Sequence, residues 1–374
     1  MTIKILHIIS GLNDGGAESI LFKFLCNTES NINYVISLKG PGKYGKLIEK
    51  KGIKTFYLDC SINLSLISDF IFLIKLIKKI KPDIVQTWLY HADLFGGCAA
   101  YLANAQKIFW GIHHTSLDRK LNKKSTIYVA KINSILSYFI PTKIIVCAEK
   151  SKKEHIKNGF QKNKFIVIPN GIDLNEFKES KFHRDKYRKR LMIDQKELLL
   201  GTVARYNPNK DHLTLIKCIK KLKDSGIKFK YLFVGENMDY KNEELVRIIK
   251  KLKLDSTIKL IGQEKKISII MNALDLHILS SLSEAFPLVI LESMACRTPC
   301  VSTDVGDVNK IIIRKELLAE KGNYLSLFKA INYFINLKEI DKDKISRQLQ
   351  IHIRENFSIK KMINSYLSVY NNYI

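Results

Sequence analysis

Paired cysteines are missing from this chain. Its seven cysteines are scattered and odd in number, and the nearest two, Cys296 and Cys300, are split by a predicted helix end and Pro299. That is not the ligand spacing of a zinc site. A disulfide-stapled secreted scaffold is excluded, and reduced, mostly buried thiols in a cytoplasmic protein are expected. Long hydrophobic runs are missing too. The longest apolar stretch, residues 62–77, is broken by Asp69 and Lys75. It is shorter than the roughly 20 residues a spanning helix needs and reads as a helix packed on a sheet. The N-terminus enters a strand and a glycine loop without the small-residue cleavage site of a secretory signal.

Acid is also scarce. Asp and Glu number 36 against 62 Lys and Arg, a net charge of +26, with basic clusters at residues 75–81, 119–124, 150–153 and 181–190. Nucleic acid is not the expected partner. The arginines lack interleaved stacking aromatics, and no zinc-finger or RNP-type signature is present. An anionic membrane surface fits better, at about 1 kcal/mol per nearby Lys or Arg, although part of the excess is ordinary solvated lysine. Residues 117–124, rich in Lys and Arg, lead into an apolar run with helical spacing at 127–136. A basic patch beside exposed apolar residues is how a helix lies on a bilayer.

What is present is the patterning of two ordinary domains: 374 residues, 46% hydrophobic and 26% charged. Apolar strands are predicted over residues 3–9, 34–38, 55–58, 84–86, 107–112, 143–146 and 165–168. A second series covers 198–203, 230–234, 258–261, 276–279 and 300–302, with helices over 211–222, 242–252, 265–272 and 287–295. Continuous apolar strands alternating with amphipathic helices predict parallel sheets covered on both faces. The polar segment 175–190, after the Asn170-Gly171 turn, is the expected boundary.

The most informative stretch is Ser283-Glu284-Ala285-Phe286-Pro287-Leu288-Val289-Ile290-Leu291-Glu292. Pro287 suits a first helical turn, where its missing N–H costs nothing. The amides around it suit a phosphate. Eight helical steps span roughly 12 Å and return to nearly the same face, so Glu284 and Glu292 could flank a diphosphate, each meeting a hydroxyl-rich group. Upstream, Arg205 and Lys210 follow a buried strand, at the end where open α/β sheets bind ligands. A strand over residues 5–10 runs into Gly11…Gly15-Gly16 and a helix.

Taken in order, these segments resemble the retaining, nucleotide-sugar-dependent glycosyltransferases of family four. The resemblance is strongest over residues 165–306 and extends to 1–115 and 357–370. It implies an α/β GT-B fold, with two doubly wound Rossmann-like domains facing a central cleft. Residues 1–178 would form the acceptor-side domain, 179–356 the nucleotide-sugar-binding domain, and 357–374 a helix crossing back to the first. Glu292 would hold the ribose and Glu284 the transferred sugar. The amides of Ala285, Phe286, Pro287 and Leu288 would face the diphosphate, although Pro287 itself has no N–H to offer. Arg205 and Lys210 would neutralise the diphosphate, and Gly262 would meet the base through its backbone. Gly15 and Gly16 would let the backbone approach the donor phosphates or the acceptor. His91 and His113 would lie on the acceptor side, with His114, followed by Thr115, near the reacting sugar. Asp14, Glu18 and Asp93 are further carboxylates near this loop; any could be a base, and each reads more simply as a cap or surface charge.

The resemblance also implies transfer to a lipid-linked surface-polysaccharide or lipopolysaccharide precursor, by a cytoplasmic protein peripheral at the inner face of the plasma membrane. The nucleotide-diphosphate sugar is a co-substrate, and no other cofactor is expected. No metal is expected either, because the one Asp-X-Asp, Asp341-Lys342-Asp343, is far from the donor motifs. Three positions depart from the family pattern. Arg297 and Asp307 stand where Gly is usual, and Lys310 replaces a frequent Glu. A left-handed Arg297 would cost about 1–2 kcal/mol. A Rossmann oxidoreductase is disfavoured, since Gly11…Gly15-Gly16 is not G-x-G-x-x-G. A basic nucleic-acid-binding protein leaves the Glu and Arg/Lys order unexplained. A non-catalytic scaffold of a glycan-assembly complex is the remaining alternative.

Overall fold

The computed structural model describes residues 2–28, 30–58, 65–114, 117 and 123–373. Two compact units emerge: Met1–Gly171 with Ile359–Ile374, and Ile172–Ser358.

The first unit carries β1 (Lys4–Ile9), β2 (Ile32–Ser37), β3 (Lys54–Tyr57), β4 (Ile84–Trp88), β5 (Ile108–Ile112), β6 (Lys143–Val146) and β7 (Phe165–Val167). They form one parallel sheet in the order β3-β2-β1-β4-β5-β6-β7. Between them run α1 (Gly16–Cys26), α2 (Gly42–Glu49), α3 (Ser65–Ile80), α4 (Tyr90–Leu102), α5 (Lys124–Leu136) and α6 (Glu149–Lys157). Strands β4 and β5 are buried at every position, as continuous apolar strands must be when helices cover both faces. Helix α3 buries Leu73, Leu76, Ile77 and Ile80. It is the helix expected from the broken apolar run, whose first residues lie outside those described. The last helix, α15 (Ile359–Asn371), belongs to this unit. Its Tyr370 hydroxyl donates to Gln86 Oε1 (2.9 Å), and Tyr366 stacks on Trp88 at 5.9 Å.

The second unit begins with α7 (Lys181–Arg190) and carries β8 (Leu199–Val203), β9 (Lys230–Val234), β10 (Ile258–Gly262), β11 (Leu276–Leu279), β12 (Cys300–Thr303) and β13 (Leu318–Ala319). The sheet is parallel, in the order β10-β9-β8-β11-β12-β13. Its other helices are α8 (His212–Asp224), α9 (Glu243–Lys251), α10 (Ile267–Ala273), α11 (Leu288–Ala295), α12 (Val308–Ile311), α13 (Tyr324–Ile335) and α14 (Glu339–Asn356). At two residues, β13 is too short to show a pattern. The polar segment 175–190 is largely α7, and the reason is Arg188. Its side chain is fully buried, and its guanidinium donates to the carbonyls of Ala273 (2.9 Å), Asp194 (2.7 Å) and Glu197, and to Asp275. Arg184 pairs with the same Asp275. Part of this basic cluster is therefore internal wiring rather than surface charge.

Candidate functional site

In the second unit the strand order reverses between β8 and β11, and open α/β sheets bind ligands at such switch points. The two strands pair at only two positions, Leu200 with Leu276 and Gly201 with His277. Beyond them side chains replace the ladder. The Val203 N–H donates to His277 Nε2 (3.3 Å), and Thr202 Oγ1 donates to the Ile278 carbonyl (2.6 Å). Backbone polar groups stay satisfied where the ladder stops. The segments that leave the two strands carry the predicted donor residues.

These segments are laced together. Lys210 Nζ is ion-paired with Glu284 Oε1, the oxygen that also accepts from Ser281 Oγ (2.6 Å). The Leu282 N–H donates to the Asn209 carbonyl (2.8 Å), and Ser280 Oγ to that of Lys210 (2.7 Å). Gly306 supports the loop from behind. It sits at φ +58°, and a Cβ there would fall 2.2 Å from the Glu284 carbonyl oxygen and 2.5 Å from that of Ala285. Only glycine tolerates both demands. Asp307 donates its N–H to Ala285 O (3.2 Å) and pairs with Lys310 at 2.9 Å.

The helical spacing of the two glutamates needs correction. Helix α11 starts at Leu288, one place later than expected, with Pro287 in extended conformation as its N-cap. Glu284 is outside the helix, so counting helical steps does not place it; Ser281 and Lys210 do. Glu292 is the fifth residue of α11. The N-cap residue Pro287 makes no side-chain cap hydrogen bond. Phe286 is buried, packing edge-on against Phe357 at 5.3 Å. Arg205 is exposed. Its carbonyl accepts from His212 Nε2 (2.9 Å), and His212 stacks on Tyr206 at 5.3 Å. Burial pushes the His212 imidazole down to about 4, so it stays neutral and donates from Nε2. Gly262, at φ +76°, already spends its N–H on the Met238 carbonyl (2.9 Å), and its own carbonyl accepts from Gly235 (2.8 Å). Its N–H is therefore not open to a base.

In the first unit the order reverses between β1 and β4. Gly15 caps α1 in extended conformation, with the Glu18 carboxylate folded over it; a Cβ would lie 2.2 Å from Glu18 Oε2. Gly16 has open space where a Cβ would project. Neither glycine is required by a positive φ. Asp14 is ion-paired with Lys43 at 2.8 Å. Asp93 is neither a cap nor a surface charge. It is fully buried, accepting from Thr87 Oγ1 (2.5 Å) and the Gly111 N–H (3.3 Å), and burial holds its carboxyl well above the ordinary range.

His91 is exposed near the start of α4. His113 stacks on Trp88 at 5.4 Å, with its Nε2 sealed from solvent and lacking a partner among the described residues. Burial pushes it down to about 4. His114 is the exposed member of the pair, stacked on Tyr90 at 5.4 Å.

Arg297 is left-handed, at φ 64°. It pairs with Glu179 (3.1 Å) and Asp343 (2.5 Å), so the Asp-X-Asp segment lies in α14 and ties down a strained arginine. Among the described residues no group of three His, Cys, Asp or Glu is arranged to hold a metal. No described helix is long and apolar enough to cross a membrane. Of the basic patch, Arg119 and Lys120 lie outside the described residues. Lys123 and Lys124 are exposed. On and just past α5, Tyr128, Ile132, Ile135 and Phe139 are exposed at 70, 45, 67 and 70%, a spacing that repeats along one helical face. Ile132 and Ile135 are therefore not core residues.

Two parallel, doubly wound sheets, one in each unit, are the architecture of a GT-B fold. Residues 34–176 match the model of Glycosyltransferase Family 4, and residues 183–349 match that of Glycosyl transferases group 1. The chain belongs to glycosyltransferase family four. It is 27% identical to the UDP-Gal:alpha-D-GlcNAc-diphosphoundecaprenol alpha-1,3-galactosyltransferase of Escherichia coli, over 98% of this chain and 95% of that one. It is 26% identical to the putative glycosyltransferase EpsF of Bacillus subtilis, over 80% of this chain and 79% of that one. The fold matches HepE of Anabaena, solved in complex with UDP, at a TM-score of 0.86 and 21% identity, covering 99% of this chain and 100% of that one.

Proposed function

We propose that this glycosyltransferase moves a hexose, with retention and without a metal ion, from a nucleotide-diphosphate sugar to a lipid-linked surface-polysaccharide or lipopolysaccharide precursor. The observation that carries the reading is the Lys210–Glu284 pair, held by Ser281 at the β8/β11 switch point just before the start of α11. Lys210 and Arg205 stabilise the leaving diphosphate. Fixed cations aimed at developing charge are often the largest catalytic contribution. The start of α11 adds its dipole and amides. Glu284 holds hydroxyls of the sugar, and Glu292 those of the ribose. No residue is assigned as a covalent nucleophile. The leaving phosphate takes the acceptor's proton on the same face, and His114, His91 and His113 are assigned to the acceptor side.

The E. coli relative's name specifies a diphosphoundecaprenol-linked acceptor, which supports a lipid-linked acceptor here. Anabaena HepE, solved with UDP and with UDP-glucose, supports a uridine nucleotide. The exposed Tyr128, Ile132, Ile135 and Phe139 beside Lys123, Lys124 and Lys131 support docking on an anionic bilayer at the inner face of the plasma membrane.

Titration calorimetry with UDP, UDP-glucose and UDP-galactose in excess EDTA tests the donor assignment. Glu292→Gln should weaken UDP and UDP-sugars alike, because ribose is common to both. Glu284→Gln should spare UDP and penalise only the sugars. Equal losses for both ligands in both variants reject the division, and wild-type protein that binds no nucleotide without a divalent cation rejects metal independence. The anomeric signal of the product, read by NMR, tests retention.

A further inference from the structure

His155 lies outside the residues assigned so far, yet it closes a circuit around His114. It is fully buried on α6. Its Nδ1 is 2.6 Å from the Ser151 carbonyl, and a carbonyl only accepts, so Nδ1 carries the proton and Nε2 is the acceptor. The Tyr90 hydroxyl donates to that Nε2. The Tyr90 ring in turn lies under the His114 ring, with centroids 5.4 Å apart and planes 15° from parallel. Ser151, one turn before His155, is buried and donates its hydroxyl to the His114 carbonyl at 2.5 Å. Asn133 Nδ2 holds the Tyr90 carbonyl at 2.9 Å. His114 is thus gripped at its ring face by Tyr90 and at its backbone by Ser151, and both grips meet at His155.

We propose that His155 is a positioning residue for His114, acting through Tyr90 and Ser151. The proposal rests on the reading that His114 takes part in transfer. Packing alone would be met by an apolar residue at 155. The circuit instead uses both ring nitrogens, and burial holds the imidazole down to about 4, so the accepting Nε2 persists at neutral pH.

The test uses Tyr90→Phe, which keeps the stacked ring and removes the hydroxyl, and Ser151→Ala, which frees the carbonyl. Each should lower kcat for UDP release from UDP-glucose or UDP-galactose, whichever the wild type turns over faster, by about tenfold. The KM for the UDP-sugar should stay within about twofold, with Tm near wild type. His155→Gln, with one acceptor and one donor, should recover more kcat than His155→Leu. In a His114→Ala background, Tyr90→Phe and Ser151→Ala should change nothing further. The ring signals of His114 in NMR should shift in both single variants. Undiminished kcat in both, while His114→Ala is impaired, overturns the positioning role and leaves the reading of His114 intact. Equal losses with and without His114 also overturn it. A His114→Ala enzyme that works like wild type removes the reading itself, and the proposal with it.

Discussion

Acidification should loosen the second unit well before its carboxylates titrate. His212 and His277 are both buried, and burial holds them down to about 4 and about 3. In the unfolded chain each returns to the ordinary 6.5. Between these limits the unfolded state takes up protons that the folded state refuses. Stability is therefore full above about pH 6.5 and falls with pH down to the folded values. Between pH 7.5 and 5.5 each histidine costs roughly 1 kcal/mol, and the pair roughly 2–3 kcal/mol. The first unit is a less clean test. His7, His113 and His155 pull the same way, but Asp93, whose carboxyl is raised by burial, gains stability toward acid and opposes them. Native-state hydrogen exchange read by mass spectrometry isolates the second unit through peptides of β8, β9 and β11. After correction for intrinsic rates, protection should fall about a hundredfold between pH 7.5 and 5.5. His212→Gln keeps an amide donor for the Arg205 carbonyl and cannot titrate, so its fall should be nearer tenfold. Protection that is constant or rises toward pH 5.5 in the wild type refutes the reasoning.

Replacing Lys210 or Arg205 with Met should weaken UDP binding by about 1.5–3 kcal/mol each. Unchanged affinity in both variants, by calorimetry, removes their assignment to the diphosphate. Arg297→Gly should be about 1 kcal/mol more stable than Arg297→Ala in urea denaturation, because both lose the pairs to Glu179 and Asp343 but only Ala keeps the left-handed strain. Equal stability would mean the strain is not felt. Sedimentation with anionic vesicles should capture the protein at low salt and release it as salt rises. Gln at Arg119, Lys120, Lys123 and Lys124 should reduce capture; wild type that stays in the supernatant defeats the docking surface.

The sheets were legible because a parallel strand buried on both faces must be apolar throughout, and the runs at 143–146, 230–234 and 276–279 reappear as β6, β9 and β11 with the same ends. The loops were legible only as residue types. A strand end followed by Arg205 and Lys210, and a second followed by Glu284, identifies charged loops at a switch point. It does not say that Lys210 and Glu284 touch across 74 positions, or that Tyr90 meets His155 across 65. Counting helical steps does not place Glu284, because it lies in the loop before α11. A proline N-cap and a proline first residue look alike in sequence. Ser280 and Ser281, directly after a buried strand, were the available hint to the hydroxyl that holds Glu284.

Arg297 shows where the boundary lies. Its left-handed backbone was anticipated because conformation at a helix end is local, and the energetic cost of a side chain there is set by that one residue's sterics. Its partners were not, because Glu179 lies 118 positions away and Asp343 46. Both ion pairs are at least partly exposed, so each contributes at most about 1 kcal/mol, an amount comparable to the strain. The arginine is tolerated because two weak long-range pairs offset one local cost, and only the local half of that balance is written in neighbouring residues.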